Sequence, residues 1–175
     1  MRIWLDQVRE EPFDWDETER VSPESLERPE LLDLGPVTWS GRVVYTGPGF
    51  LLRARLSYEQ TLGCIRCLEP HVESVGCEVE LMIEIDGGRA LGSENELAEK
   101  DMSVLVLDEE VLDTAPILLE QLQLNIPMKP LCRPDCLGLC PQCGADLNAG
   151  DCSCPEPAAD PRWAAIAAFK GRLDR

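Results

Sequence analysis

Apolar and polar residues alternate with a period of two through the middle of the chain. Within residues 50–62, Leu52, Ala54, Leu56 and Tyr58 fall on one face and Arg53, Arg55, Ser57 and Glu59 on the other. That pattern predicts a strand with one face buried and one wet. Residues 72–85 repeat it, with Val75, Cys77, Val79, Leu81, Ile83 and Ile85 on the apolar face and Glu78, Glu80, Met82 and Glu84 opposite. Residues 37–45 are rich in β-branched and aromatic side chains, and Gly47-Pro48-Gly49 after them marks a turn. Together these runs predict three or four antiparallel strands. Residues 3–8 predict an earlier strand and residues 103–107 a later one. The stretch 10–29 is charged and broken by Pro12, Pro23 and Pro29, which predicts loop with at most a short helical turn after Ser22-Pro23. Trp4, Phe13 and Trp15 are read as core or cover residues, and 87–101 as an exposed loop.

The period then changes. Asp113 reads as an N-cap, with Pro116 inside the first turn, where a missing N–H costs nothing. Ile117, Leu118 and Leu122 follow at helical spacing, which predicts a helix at about 114–126, ended by Pro127. Asp160-Pro161 opens a second helical pattern carrying Trp163, Ile166, Ala167 and Lys170, with Gly171 as its stop. The fold class expected is α+β: an antiparallel β-rich domain with one or two helices and a C-terminal cysteine-rich zinc-knuckle module. The expected organisation is a β-rich domain at 1–127, a cysteine module at 128–156, and a C-terminal helix at 157–175 docked on the domain.

Composition narrows the class. A chain of 175 residues with 44% hydrophobic content has material for one core, or one core and a small appendage. No run approaches the roughly 20 apolar residues of a membrane span, and residues 1–7 show no export signal, so a cytoplasmic protein with reduced thiols is expected. Net charge is −17 and is unevenly spread. Residues 73–120 carry 14 acidic and 2 basic side chains, whereas 36–72 carry 2 acidic and 4 basic. A field this negative repels phosphate backbones at long range and favours basic partners.

The candidate chemistry lies in the cysteines. Six of the nine fall within residues 132–154, among Gly, Pro, Asp and Asn. Such a segment buries too little apolar surface to hold one shape without a cross-link. Cys140-Pro141-Gln142-Cys143-Gly144 reads as a metal knuckle, the glycine allowing a tight turn behind the second sulfur. Disulfides are disfavoured by the odd count and the absent export signal. The spacing Cys136-x3-Cys140-x2-Cys143 matches a radical-SAM iron–sulfur loop, but that loop opens a large barrel and only 32 residues follow Cys143. Structural zinc held by four thiolates is the preferred reading. The favoured ligands are Cys132, Cys136, Cys140 and Cys143, with Cys152 and Cys154 as the alternative pair. A two-metal arrangement would recruit Cys64 and Cys67, a second C-x2-C that by itself reads as half a metal site, a redox pair or two packed thiols. The redox reading is disfavoured because no helix N-terminus is there to lower a thiol pKa. Cys77 is read as core, and His71 as an ordinary residue at a strand start.

The residues Cys64-Ile-Arg-Cys67-Leu-Glu-Pro70, Pro127-Met-Lys-Pro130-Leu-Cys132, Cys136 through Asn148, Cys152-Ser-Cys154 and Asp160-Pro-Arg-Trp163 carry a resemblance. Over about residues 35–169 the chain resembles the YceD family, a group tied to accumulation of the large-subunit (23S) ribosomal RNA in bacteria and plastids. Some members lack the tail cysteines, so the resemblance implies that the metal stabilises and is not the shared activity. It supplies no catalytic residue.

The resemblance implies a non-enzymatic factor in large ribosomal subunit biogenesis. Two kinds of contact are open to it. Pre-ribosomal RNA could meet the one positive face, Arg53 and Arg55 with Arg42 and Arg66 nearby. Alternatively the acidic 73–120 region could capture a basic ribosomal protein, which composition favours. No membrane and no small-molecule substrate is expected. A zinc-binding adaptor or transcription-related module is the alternative. A metal-dependent nuclease using Glu109-Glu110 or Glu78 and Glu80 is weaker, because runs of carboxylates usually only solvate a surface and no nucleophile–base pair or phosphate loop is present.

Overall fold

A computed structural model describes residues 1–85, 104–155 and 162. Its centre is a long hairpin. β5 (Phe50–Gly63) and β6 (Pro70–Ile85) pair antiparallel along their whole length, from Phe50 opposite Ile83 to Gly63 opposite Pro70. The alternation seen in the sequence sets the faces: Phe50, Leu52, Leu56 and Leu62 are buried, and Arg53, Arg55, Ser57 and Glu59 are exposed. β4 (Val37–Tyr45) pairs antiparallel with β5, putting Val37, Trp39 and Val43 on the same buried face. The expected strands at 37–45, 50–62 and 72–85 are therefore all present.

The sheet is wider than expected. β2 (Phe13–Glu19) pairs antiparallel with β4, and β3 (Leu31–Leu34) with β5, giving six strands once β7 (Val104–Leu107) joins β6. The β6–β7 pairing is parallel. Two sequence expectations are corrected here. The loop expected across 10–29 contains β2, because Asp14 and Asp16 alternate with Phe13 and Trp15, and Trp15 is buried against Trp39 with ring centroids 5.8 Å apart. The acidic residues face outward, and Asp14 meets Arg42 across the pair. Tertiary pairing outweighs a composition that reads as loop. The strand expected at 3–8 stops early: β1 is only Arg2–Trp4, followed by the short α1 (Leu5–Val8). β1 forms a small separate sheet with β8 (Val111–Asp113), and Trp4 lies exposed. The helical turn after Ser22-Pro23 is present at Pro23–Leu26.

The helix α2 (Thr114–Asn125) has the expected cap, the Asp113 carboxylate accepting from the Ala115 N–H at 3.1 Å. It buries Ile117, Leu118 and Leu122 in the same core as Leu52, Leu56 and Ile83. Among the described residues no helix is long and apolar enough to cross a membrane. The loop expected at 87–101 and the helix expected at 157–175 lie outside the described residues.

Candidate metal centre

The β5–β6 turn carries Cys64 and Cys67. Its sharp reversal is made by Leu68 at φ 64°, with the Leu68 N–H donating to the Cys64 carbonyl at 2.9 Å. The tail repeats this geometry. Gly144 sits at φ 73° and its N–H donates to the Cys140 carbonyl at 2.9 Å. Each C-x2-C is thus a knuckle closed by a left-handed residue, a conformation that glycine adopts freely and leucine only with strain.

The four favoured ligands do not share one site. The sulfurs of Cys132 and Cys136 converge with Cys64 and Cys67, and those of Cys140 and Cys143 converge with Cys152 and Cys154, each set within 4.8 Å of one another. The divide falls at Leu137-Gly138-Leu139, where the tail crosses the hairpin turn. The Leu139 N–H donates to the Arg66 carbonyl at 3.1 Å, and a Cβ at Gly138 would come within 2.9 Å of the same oxygen. Gly138 takes φ 80° there. That crossing sends Cys136 toward the turn and Cys140 away from it. Further bonds fasten the tail to the turn: Ile65 N–H to the Pro130 carbonyl at 3.0 Å, and Arg66 Nη1 to the Cys136 carbonyl at 2.6 Å.

In the first cluster the Sγ separations Cys64–Cys136 and Cys67–Cys132 are 3.8 and 3.6 Å. Four ligands on one tetrahedral ion with bonds of about 2.3 Å stand about 3.8 Å apart, so the spacing fits a single ion. It is far beyond a disulfide bond. A multi-iron cluster would spread its cysteines wider, since they are divided among two or more irons. Both clusters could hold a metal ion.

Electrostatics point the same way. Burial pushes the Cys64 thiol up, but the backbone N–H groups of Cys132, Cys67 and Arg66 overcome it and leave the group at about 6. Cys140 also falls to about 6, first through the backbone N–H groups of Cys143 and Gln142. The opposite partners resist ionisation. Cys132 is pushed up to about 12, by burial first and then by the surrounding thiols. Cys154 is pushed up to about 12, by Cys143 first and then by burial. One thiol in each cluster is therefore held as a ready anion beside partners that keep their protons, the charge pattern that a bound cation would even out.

The two clusters differ in their surroundings. Cys64, Cys67 and Cys136 are buried, with Leu131 and Leu139 packed against them. In the second, only Cys140 is buried, Cys143 is exposed, and Cys152 and Cys154 are half-buried. Asn148 links them, and sequence reasoning assigned it no role. It belongs to the second cluster's loop, yet its Nδ2 reaches the Cys136 sulfur at 3.5 Å and its Oδ1 accepts from the Leu137 N–H at 2.8 Å. Asp146 accepts from Asn148 Nδ2 at 2.7 Å and sets its orientation. An Asn between a C-x2-C and a C-x-C pair is the available signal, but its partner sulfur can be identified only once the chain is folded.

The remaining candidates are engaged elsewhere. Arg42 pairs with both carboxylate oxygens of Asp14, Arg53 with Glu80 at 2.7 Å, and Arg55 with Glu78 at 2.6 Å. Arg66 lies at the hairpin turn, its Nη1 donating to the Cys136 carbonyl. The same pairs occupy Glu78 and Glu80, two of the carboxylates considered for a nuclease, and a third, Glu110, is paired with Arg9. Cys77 is half-buried beside the core, and His71 Nε2 lies 3.3 Å from Glu73.

Residues 52–170 match the family described as large ribosomal RNA subunit accumulation protein YceD. Uncharacterized proteins of Mycobacterium tuberculosis and Mycobacterium bovis are 31% identical over 147 residues, covering 84% of this chain and 66% of theirs. The chain thus spans just under two thirds of the length of these relatives. A Zea mays protein, the chloroplastic large ribosomal RNA subunit accumulation protein YCED homolog 1, is 26% identical over 54% of this chain and 40% of its own length. No solved structure matches the chain significantly.

Proposed function

The chain belongs to the YceD family, and we propose that it is a non-enzymatic, cytoplasmic factor in bacterial large ribosomal subunit biogenesis that supports accumulation of 23S ribosomal RNA. The family match over residues 52–170 carries this reading, because it spans both the central hairpin and the cysteine tail. The contact proposed is capture of a basic ribosomal protein. Three sheet-face arginines stand against carboxylates that offset their charge, so the sheet face offers phosphate little net positive charge, Arg66 alone keeping its charge while donating to the Cys136 carbonyl. The acidic excess of the whole chain would steer a positively charged partner instead.

The ions are read as zinc. Four thiolates at tetrahedral spacing suit a borderline-soft, redox-inert cation, and a site filled by four protein sulfurs leaves no position for substrate. Its chemistry is then structural: it holds the tail against the hairpin.

Deletion should lower 23S relative to 16S ribosomal RNA, and the protein should co-sediment with pre-50S particles. Crosslinking pulldown should recover a basic ribosomal protein in preference to RNA. An unchanged 23S to 16S ratio would refute the biogenesis reading and favour the adaptor. Recovery of RNA alone would refute the protein-capture contact.

A further inference from the structure

We infer that the chain binds two zinc ions of unequal permanence: an integral ion at Cys64, Cys67, Cys132 and Cys136, and an exchangeable ion at Cys140, Cys143, Cys152 and Cys154. This rests on reading the clusters as zinc sites and adds their number, ligand sets and order of loss.

The number follows from the sulfurs. Eight of the nine cysteines divide into two sets of four, and within each set the sulfurs lie within 4.8 Å. The two knuckles have the same left-handed closure and the same 2.9 Å backbone bond. What holds one ion geometrically therefore holds the other.

The inequality follows from where the ligands come from. In the integral site Cys67 and Cys132 are 65 residues apart in sequence, and Cys64 and Cys136 are 72 apart. These sulfurs meet only when the β5–β6 hairpin is formed and the tail has crossed its turn. Three of the four are buried, and the Cys136 sulfur carries an Asn148 hydrogen bond. A competing chelator reaches that ion only after the tail lifts, which breaks the Leu139–Arg66 and Ile65–Pro130 backbone bonds.

The exchangeable site needs none of this. Its ligands lie within residues 140–154, Cys143 is exposed, and no atom would lie within 4 Å of a side chain added at Gly144. One bond that closes the loop is exposed, from Gln142 Nε2 to the Pro155 carbonyl at 2.8 Å. A chelator can bond to the ion as its sulfurs leave one at a time, without disturbing the sheet.

The test is metal analysis of the purified full chain, followed by zinc release to a chromogenic chelator under native conditions. Two zinc equivalents are expected, one released at least about tenfold faster than the other. Cys140→Ser/Cys143→Ser should remove the fast phase and leave one slow equivalent. Cys64→Ser should remove the slow one, and if it fails to fold, the double variant still decides the assignment. One equivalent per chain, a single release rate, or a fast phase that survives in the double variant would each overturn the inference. Two equivalents of a different metal showing the same two phases would overturn the zinc reading and leave the unequal sites standing.

Discussion

The two cysteine clusters share a knuckle and little else. One is assembled from chain segments more than sixty residues apart and lies buried under the tail, and the other is closed within a single loop at the surface. The contrast shows what a cross-link does. A local one orders its own loop, whereas a distant one removes conformations from the whole intervening chain, and its contribution grows with the length enclosed. The first cluster should therefore be tied to the stability of the sheet, and the second only to the shape of the tail.

The sharpest way to break that comparison is at Cys64. Cys64→Ser leaves a buried cluster one ligand short and opens a loop of more than sixty residues. It should lower unfolding stability by about 3–5 kcal/mol in a denaturant titration. A loss below about 1 kcal/mol would mean the buried cluster is packing and not a cross-link. Cys140→Ser/Cys143→Ser should instead shift the sheet's transition by less than about 1 kcal/mol, while amide exchange rises across residues 140–155. A large shift there would erase the distinction between the clusters.

Asn148 sharpens the comparison, since it is the side chain that touches both halves. Asn148→Ala should speed loss of the buried ion by about tenfold, through the lost hydrogen bond to Cys136, with little change in the exposed one. Equal acceleration at both would assign Asn148 to the loop alone. The smallest expected effect is at Leu68. Its left-handed backbone carries strain that glycine avoids, so Leu68→Gly should stabilise the hairpin turn by up to about 1 kcal/mol. Destabilisation would mean that the leucine side chain, 69% exposed, makes contacts that outweigh the strain.

Much of this architecture is legible in the residues, for reasons of range. Alternation over 50–62 and 72–85 marks β5 and β6 because burial of one face is decided by immediate neighbours. Asp113 and Pro116 mark the start of α2 because capping is a matter of two or three residues. The knuckle at Cys140 is visible for the same reason, its glycine being next in sequence. The C-x2-C at Cys64 is visible as half of a two-metal arrangement, but its knuckle turn is harder to read because a leucine holds the position where glycine is expected. β2 is hidden because its acidic composition describes only its outer face; Trp15 packing on Trp39 is what makes it a strand.

The chain by itself determined that its centre is an antiparallel hairpin with one wet face, that a helix follows Asp113, and that the cysteine tail has little apolar surface with which to hold a shape. Only the tertiary structure decided which sulfurs meet. Spacing along the chain favours the near neighbours Cys132, Cys136, Cys140 and Cys143, but the tail crosses the β5–β6 turn at Gly138 and that crossing places Cys136 and Cys140 in different clusters. A metal site is defined by distance in space, and distance along the sequence stops predicting it once a folded sheet brings residues from opposite ends of a loop to within 4 Å.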